Sequence, residues 1–362
     1  MKRKAYFLAE SLMGMALQAV LALSLMGAFY MLLTFSSSLS QTLEGYDRGQ
    51  MVISYVDSRI RNAGLGLWGC NHVAGGASAP SPAGVAEAFD IASNWGALNK
   101  DYFHLPVAVT SKTGSGSEGL SLDAIDKYYE GNILTLLYAH KDAAKPDELL
   151  VIRSSDNDPV TISADQSVEK FKFISFKQNY GTKADLKTNF NLTESAPAPN
   201  NIKNWAVLEA SGLPVIVSNF AESSTSNVYN FTLTAPHAHD VTVYPMSELL
   251  NLELKRMYVT GDSDNRNFVF QDPKANLNNG FDDPYYHTKD ILEVYFKLTT
   301  NVDPPLLDMK VLVSDGERIE SDDAVCPAEW PSGYWQSDFG KHNFHVEQAQ
   351  WRLYNLTGWV FP

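Results

Sequence analysis

Between Lys4 and Glu44 the chain carries a single charge, the carboxylate of Glu10. The run Ser11–Phe35 (SLMGMALQAVLALSLMGAFYMLLTF) has no Asp, Glu, Lys or Arg at all. Cysteine is nearly absent: Cys70 and Cys326 are the only two, 256 positions apart, and form no CxxC pair. Basic residues are scarce, 28 against 42 acidic, for a net charge of −14. Phosphate recognition needs Lys/Arg clusters, so this deficit argues against nucleic acid as a partner. The GxSxG nucleophile motif and the HExxH zinc motif are both missing, and no carboxylate pair is marked out as acid and base. No internal repeat or heptad pattern appears in the body. These gaps leave catalysis without a sequence signature.

The uncharged run is long enough to cross a bilayer, which takes about 20 apolar residues. A carboxylate at its mouth costs roughly 2.5–3.5 kcal/mol on insertion scales, so a retained Glu10 calls for a compensating partner. Lys2, Arg3 and Lys4 precede the run and no basic residue follows until Arg48. That asymmetry predicts a cytoplasmic N-terminus and an external body of roughly 300 residues. The apolar core exceeds that of a secretory signal, and no A-x-A site follows it directly. In an oxidising compartment the two cysteines are expected to form a Cys70–Cys326 disulfide, worth about 5 kcal/mol by the chain-entropy argument, with two free thiols as the alternative.

The helix is expected to continue beyond the span. Leu39, Leu43, Tyr46, Ile53, Val56 and Ile60 recur at helical spacing, with Asp47, Arg48, Asp57, Arg59 and Arg61 mostly off that stripe. Gly64 supplies a C-terminal stop. A helix over residues 7–62 would be roughly 80 Å long. Gly14, Gly27 and Gly45 read as weak points, each about 1 kcal/mol worse than Ala.

A basic leader, a small residue, an aromatic, a Glu four places on and a long apolar helix resemble the class III signal of type IV pilins and type II secretion pseudopilins. The resemblance implies prepilin-peptidase cleavage between Ala5 and Tyr6, N-methylation of Tyr6, and pairing of Glu10 with the terminal amine of an adjacent subunit. Ala5 stands where the family usually has Gly, Tyr6 where it usually has Phe, and the mid-helix Pro is absent, with Gly27 near its place. The stretch Asp57–Cys70 (DSRIRNAGLGLWGC) is similar to the DIRxAGYxGC ending of the long helix in PilW-type minor pilins, through Arg59, Ala63, Gly64, Trp68, Gly69 and Cys70.

The implied fold is α+β and pilin-like: leader 1–5, long helix 6–64 with a transmembrane part at about 11–35, and a β-rich head 65–362. The implied function is a minor pilin that primes or caps type IV pilus assembly by polymerising through its helix. Its partners would be other minor and major pilins, the prepilin peptidase, the inner-membrane assembly platform and the membrane, with no nucleic acid and no catalysis. It would start as a single-pass inner-membrane protein and end in the pilus at the cell surface. The alternatives are a type II secretion pseudopilin and, from another class, a signal-anchored adhesin or exoenzyme.

In the head, residues 71–120 read as a Gly/Ala/Ser/Pro-rich looped excursion. Strands are expected at Ile133–Tyr138, Leu149–Arg153, Val168–Ser175, Trp205–Leu208, Pro214–Val217, Val228–Leu233, Leu252–Thr260, Ile291–Leu298 and Met309–Val313. Residues 345–354 read as strand or short helix. The aromatic tail 326–362 reads chiefly as sheet cover or core, with a sugar- or partner-binding surface as the alternative. Gly114, Gly116 and Gly119 spell GxGxxG, but without the flanking strand and helix a dinucleotide site needs. His237, His239 and Asp240, and His342, His345 and Glu347, lack zinc-site spacing and read as loop histidines. The oxygen-rich stretches Asp262–Asn267 and Asn276–Asp283 fail the EF-hand pattern because Arg266 takes a ligand position; they read as solvated turns, with structural calcium as the alternative, and no other cofactor is expected.

Overall fold

A computed structural model describes residues 2–72, 84–89, 95, 105–112, 125–127, 129–140, 151–154, 158–164, 166–174, 199–222, 228–236, 240–245, 247–262, 265–318 and 325–359. One helix, α1 (Lys2–Ile60), runs unbroken for 59 residues and is followed by a β-rich body. The architecture is α+β, with one long apolar N-terminal helix and a large antiparallel sheet region.

In chain order the body holds a short helix α2 (Gly84–Ala88), then β1 (Val107–Lys112), β2 (Ile125–Lys127), β3 (Glu130–Gly131), β4 (Ile133–His140), β5 (Val151–Ser154), β6 (Val160–Ile162), β7 (Ser167–Ile174) and β8 (Trp205–Leu208). It continues with β9 (Leu213–Glu222), β10 (Val228–Thr234), β11 (Val241–Val243), β12 (Leu249–Thr260), β13 (Asn267–Gln271), β14 (Tyr285–Lys289), β15 (Ile291–Thr299), β16 (Leu306–Arg318) and β17 (His342–Arg352). An 11-stranded sheet runs β2-β1-β4-β12-β8-β9-β10-β7-β5, with β13 and β14 branching from β12. A four-stranded sheet runs β17-β16-β15-β3, and β6 with β11 forms a separate ribbon. All these pairings are antiparallel.

Among the described residues the core has three parts. The largest joins α1, through Val52, Val56 and Ile60, to Leu134 and Leu136 of β4, Met257 of β12, Phe296 of β15 and Val311 and Val313 of β16. A second lies beneath the β6–β11 ribbon, where Ile162, Val241 and Val243 meet Phe171, Val217 and Phe231. The third lies on the outer face of the four-stranded sheet, where Leu292, Tyr295 and Leu312 are covered by Trp330 and Phe339. In this place the aromatic tail is sheet cover. Arg266 fastens it, donating to Gln336 Oε1 at 2.8 Å and Asp338 Oδ2 at 3.0 Å, with its guanidinium 4.8 Å from the Phe339 ring centre.

The excursion at 71–120 holds more structure than its composition suggests. Both α2 and β1 lie within it, and Phe89, Trp95 and Trp205 form a fully buried trio with ring centres 5.1–5.6 Å apart. Three large rings outweigh the local Gly/Ala/Pro content, because each buries a large apolar area. Residues 345–354 belong mostly to strand β17, paired along its length with β16.

The expected disulfide is corrected: Cys70 and Cys326 are both free thiols. Cys70 is buried in the helix-side core, its thiol donating to the Gly212 carbonyl at 3.5 Å. Cys326 packs in the cluster on the outer face of the four-stranded sheet. Each sulfur has its own apolar surroundings, and burial pushes the Cys70 thiol well above its ordinary range.

Candidate functional site

The N-terminal half of α1 touches nothing else among the described residues. Leu12, Met13, Leu25, Met26 and Met31 are 60–77% exposed, and the most apolar 18-residue window of the helix is 0% buried. It is the one helix among the described residues long and apolar enough to span a membrane. Two of its hydroxyls turn inward on the helix: Ser24 Oγ donates to Val20 O at 2.9 Å and Thr34 Oγ1 to Tyr30 O at 3.0 Å. Such back-bonding satisfies a hydroxyl without water, which suits an apolar surrounding. Glu10 is exposed at the start of this surface and has no partner among the described residues. Ala5 and Tyr6 lie in the α1 backbone, and their side chains lie outside the described residues. Gly14 and Gly27 have nothing within 4 Å of where a Cβ would stand, so neither serves a contact among the described residues.

The C-terminal half behaves oppositely. Its buried stripe is Gly45, Gly49, Val52, Val56 and Ile60. Leu39, Leu43 and Tyr46, expected on the packed face, are 50%, 56% and 47% exposed. The helix meets the head first through two glycines. A Cβ on Gly45 would come 2.6 Å from Asp315 Oδ1 and 2.9 Å from His345 Cε1; one on Gly49 would come 2.7 Å from Glu347 Cγ. Missing side chains thus allow the helix to press onto β16 and β17. A rule that counts large apolar residues skips these positions, whereas the i, i+4 spacing of the two glycines was a usable signal.

Polar contacts fasten the same seam. Arg48 pairs with Asp290 at 3.1 Å, at the turn where Asp290 itself has φ of 60°. Gln50 Nε2 donates to Glu347 Oε2 at 3.0 Å. Trp351 Nε1 donates to Asp57 Oδ1 at 2.7 Å, and Arg61 Nε to Asp57 Oδ2 at 2.9 Å. The Arg61 bond, with help from Trp351, holds the Asp57 carboxyl below its ordinary range. Tyr55 stacks on Phe270, ring centres 5.2 Å apart, and packs against His287 at 4.4 Å.

The helix exit is equally tight. Gly64, with φ of +74°, donates its N–H to Leu137 O at 3.1 Å, and Leu65 O accepts from Ala139 N at 2.8 Å, so the chain leaves α1 bonded to β4. A Cβ at Gly64 would strike Leu356, so both space and backbone require glycine here. Trp68, Gly69 and Cys70 form a 3-10 turn, Trp68–His72, over Gly212 in the β8–β9 connection. The segment singled out in sequence as Asp57–Cys70 is therefore the junction between helix and head.

The remaining sequence candidates separate. The glycines 114, 116 and 119, and His237, His239 and Asp264, lie outside the described residues. Asp240 Oδ1 accepts from Ala164 N at 2.9 Å, tying the ribbon's ends. His345 meets Asp315 at 2.9 Å through Nδ1 and Glu347 Oε1 at 3.8 Å through Nε2, under the Tyr46 ring at 4.3 Å. His342 faces Ser314 Oγ at 3.3 Å. Among the described residues no group of three or more His, Cys, Asp or Glu is arranged to hold a metal. In the Asp262–Asn267 turn, Asn265 N donates to Asp262 O at 3.2 Å, while Arg266 is drawn away to the tail.

No family model matches the chain, and no curated protein or solved structure does.

Proposed function

We propose that this protein is a filament subunit of the pilin type, a PilW-like minor pilin that primes or caps type IV pilus assembly by polymerising through α1. The observation that carries this reading is the division of one continuous helix. Its second half is bonded into the head, while its first half presents an apolar surface that none of the described residues covers. Fully burying a Leu or Met side chain contributes about 1.5–3 kcal/mol, so such a surface needs lipid or other subunits around it. Lipid would hold it before assembly, in an inner membrane, and neighbouring copies of such helices would hold it in the pilus.

Glu10 supplies the register. On this reading the peptidase cuts between Ala5 and Tyr6, and the new amine of one subunit meets Glu10 of its neighbour. An α-amine titrates near 8 and a Glu carboxyl near 4.3, so both are charged at neutral pH and neutralise each other away from water. The seam at Gly45, Gly49 and Trp351 fits the same role, because a head rigidly joined to its helix is carried into the filament with it. No step of this function is catalytic.

Intact-mass measurement of the protein purified from membranes tests the reading. A chain beginning at methylated Tyr6 is expected. A chain beginning at unmethylated Met1 overturns it and favours a signal-anchored surface protein.

A further inference from the structure

The outer face of the four-stranded sheet is only half covered by the tail. Side chains two residues apart on a strand share a face, and direct cross-strand partners lie side by side. The register places Tyr295, Lys310 and Gln348 in one row across β15, β16 and β17, and Lys297, Asp308 and Gln350 in the next. Beside these rows the segment Ala328–Pro331 stands as a wall, enclosing a cleft of about 510 Å³. This volume falls in the range of small-molecule sites, about 300–1,000 Å³.

The lining is polar and electrically balanced. Lys297 and Lys310 of the floor bring two ammonium groups, and Asp308 of the floor and Glu329 of the wall bring two carboxylates. Gln350 Nε2 holds Asp308 Oδ1 at 2.5 Å, Lys310 Nζ donates to the Glu329 carbonyl, and Tyr295 OH donates to Glu130 Oε2 at 2.6 Å. Lys297 and Gln348 line the cleft, are exposed, and have no side-chain partner among the described residues. An anion would meet Asp308 and Glu329; a cation would meet both lysines. A neutral ligand rich in hydroxyls meets neither conflict, because each hydroxyl both donates and accepts. Lys297 offers donors only, Asp308 an acceptor, and Gln348 both, while Ala328 and Pro331 give an apolar lip for the C–H face of a ring.

We infer that this cleft binds a short neutral saccharide. The inference concerns the head alone and stands apart from how the helix is used. Saturation-transfer NMR of the full chain in detergent micelles tests it, with maltotriose, cellotriose and triacetylchitotriose as neutral probes, and sialyllactose and a neutral hexapeptide as competing classes. Transfer to at least one neutral trisaccharide is expected, weakened about tenfold in Asp308→Ala and in Gln348→Ala, each removing one hydrogen-bonding group. Gln348 is exposed, so its variant is expected to melt as the parent does and to separate binding from folding. Absence of transfer to all three neutral probes overturns the inference. So does binding unchanged in both variants, or tighter binding of sialyllactose or the hexapeptide.

Discussion

Gly49 of the long helix rests directly on Glu347 of β17, with room for no side chain between them: a Cβ at Gly49 would stand 2.7 Å from Glu347 Cγ and 3.2 Å from Val313 Cγ2. Alanine would improve helix propensity by about 1 kcal/mol in an open position. Here it must push the helix off the sheet, and overpacking of this kind costs about 1–3 kcal/mol. Gly49→Ala is therefore expected to lower the stability of the head, and Gly49→Leu to lower it further. Gly27→Ala, with nothing within 4 Å, is expected to leave it unchanged. Denaturant unfolding followed by tryptophan fluorescence in detergent distinguishes the two positions.

A second prediction concerns Asp57, whose carboxylate accepts from both Arg61 and Trp351. Both bonds favour the ionised form, so the folded pKa lies below the unfolded value of about 3.9. Stability from this group is complete above that unfolded value and is lost as pH falls through the lower folded one. The seam is expected to weaken in the acid range below about pH 4, and Asp57→Asn to flatten that part of the stability–pH curve. Trp351→Phe removes the indole donor and is expected to cost about 1 kcal/mol at neutral pH. Thermal melts of the three proteins between pH 2.5 and 7 check both outcomes.

The thiols give a third. Cys70 is 0% exposed, and burial raises its pKa, so the thiolate that reacts with disulfide reagents is rare there. Native protein is expected to release at most one equivalent of thionitrobenzoate from the Ellman reagent, from Cys326, and denatured unreduced protein two. Two equivalents require that no disulfide was present; none after denaturation would restore the Cys70–Cys326 bridge.

Much of the architecture could be read from the residues, and the misses have physical causes. The uncharged run and the short continuous apolar runs at β4, β8 and β15 announce themselves by apolar content and length, the three strands being buried almost throughout. Short elements escape such a rule: β6 and β11 have three residues each, and only Ile162, Val241 and Val243 among them are buried, in the second core cluster. The helix seam follows the apolar stripe at Ile53, Val56 and Ile60 and leaves it nearer the membrane span. Leu39 and Leu43 look like core but are exposed, Tyr46 only edges the seam against His345, and the close contact is made by Gly45 and Gly49, since close approach is gained by having no side chain. The cysteines look like a pair because they are two; their separation in space is set by strand order, which spacing along the chain does not encode. The cleft beside Trp330 depends on cross-strand register, and Lys297, Asp308 and Gln350 are 11 and 42 positions apart in sequence.

Glu10 carries the last prediction. It is exposed on a helix whose next 25 residues are uncharged, and nothing within the described chain answers its charge. If its use were membrane insertion, removing it would improve function, since the carboxylate opposes entry by roughly 2.5–3.5 kcal/mol. If its use is to meet an amine on a neighbouring subunit, removing it leaves insertion intact and abolishes incorporation. Glu10→Ala and Glu10→Gln are expected to fractionate with membranes like the parent protein but to be missing from sheared filaments. Glu10→Gln matters most, because it keeps shape and hydrogen bonding and discards only the charge. Quantitative immunoblots of membrane and filament fractions decide it: parental levels of the Gln variant in filaments would mean that charge pairing is not what sets the register.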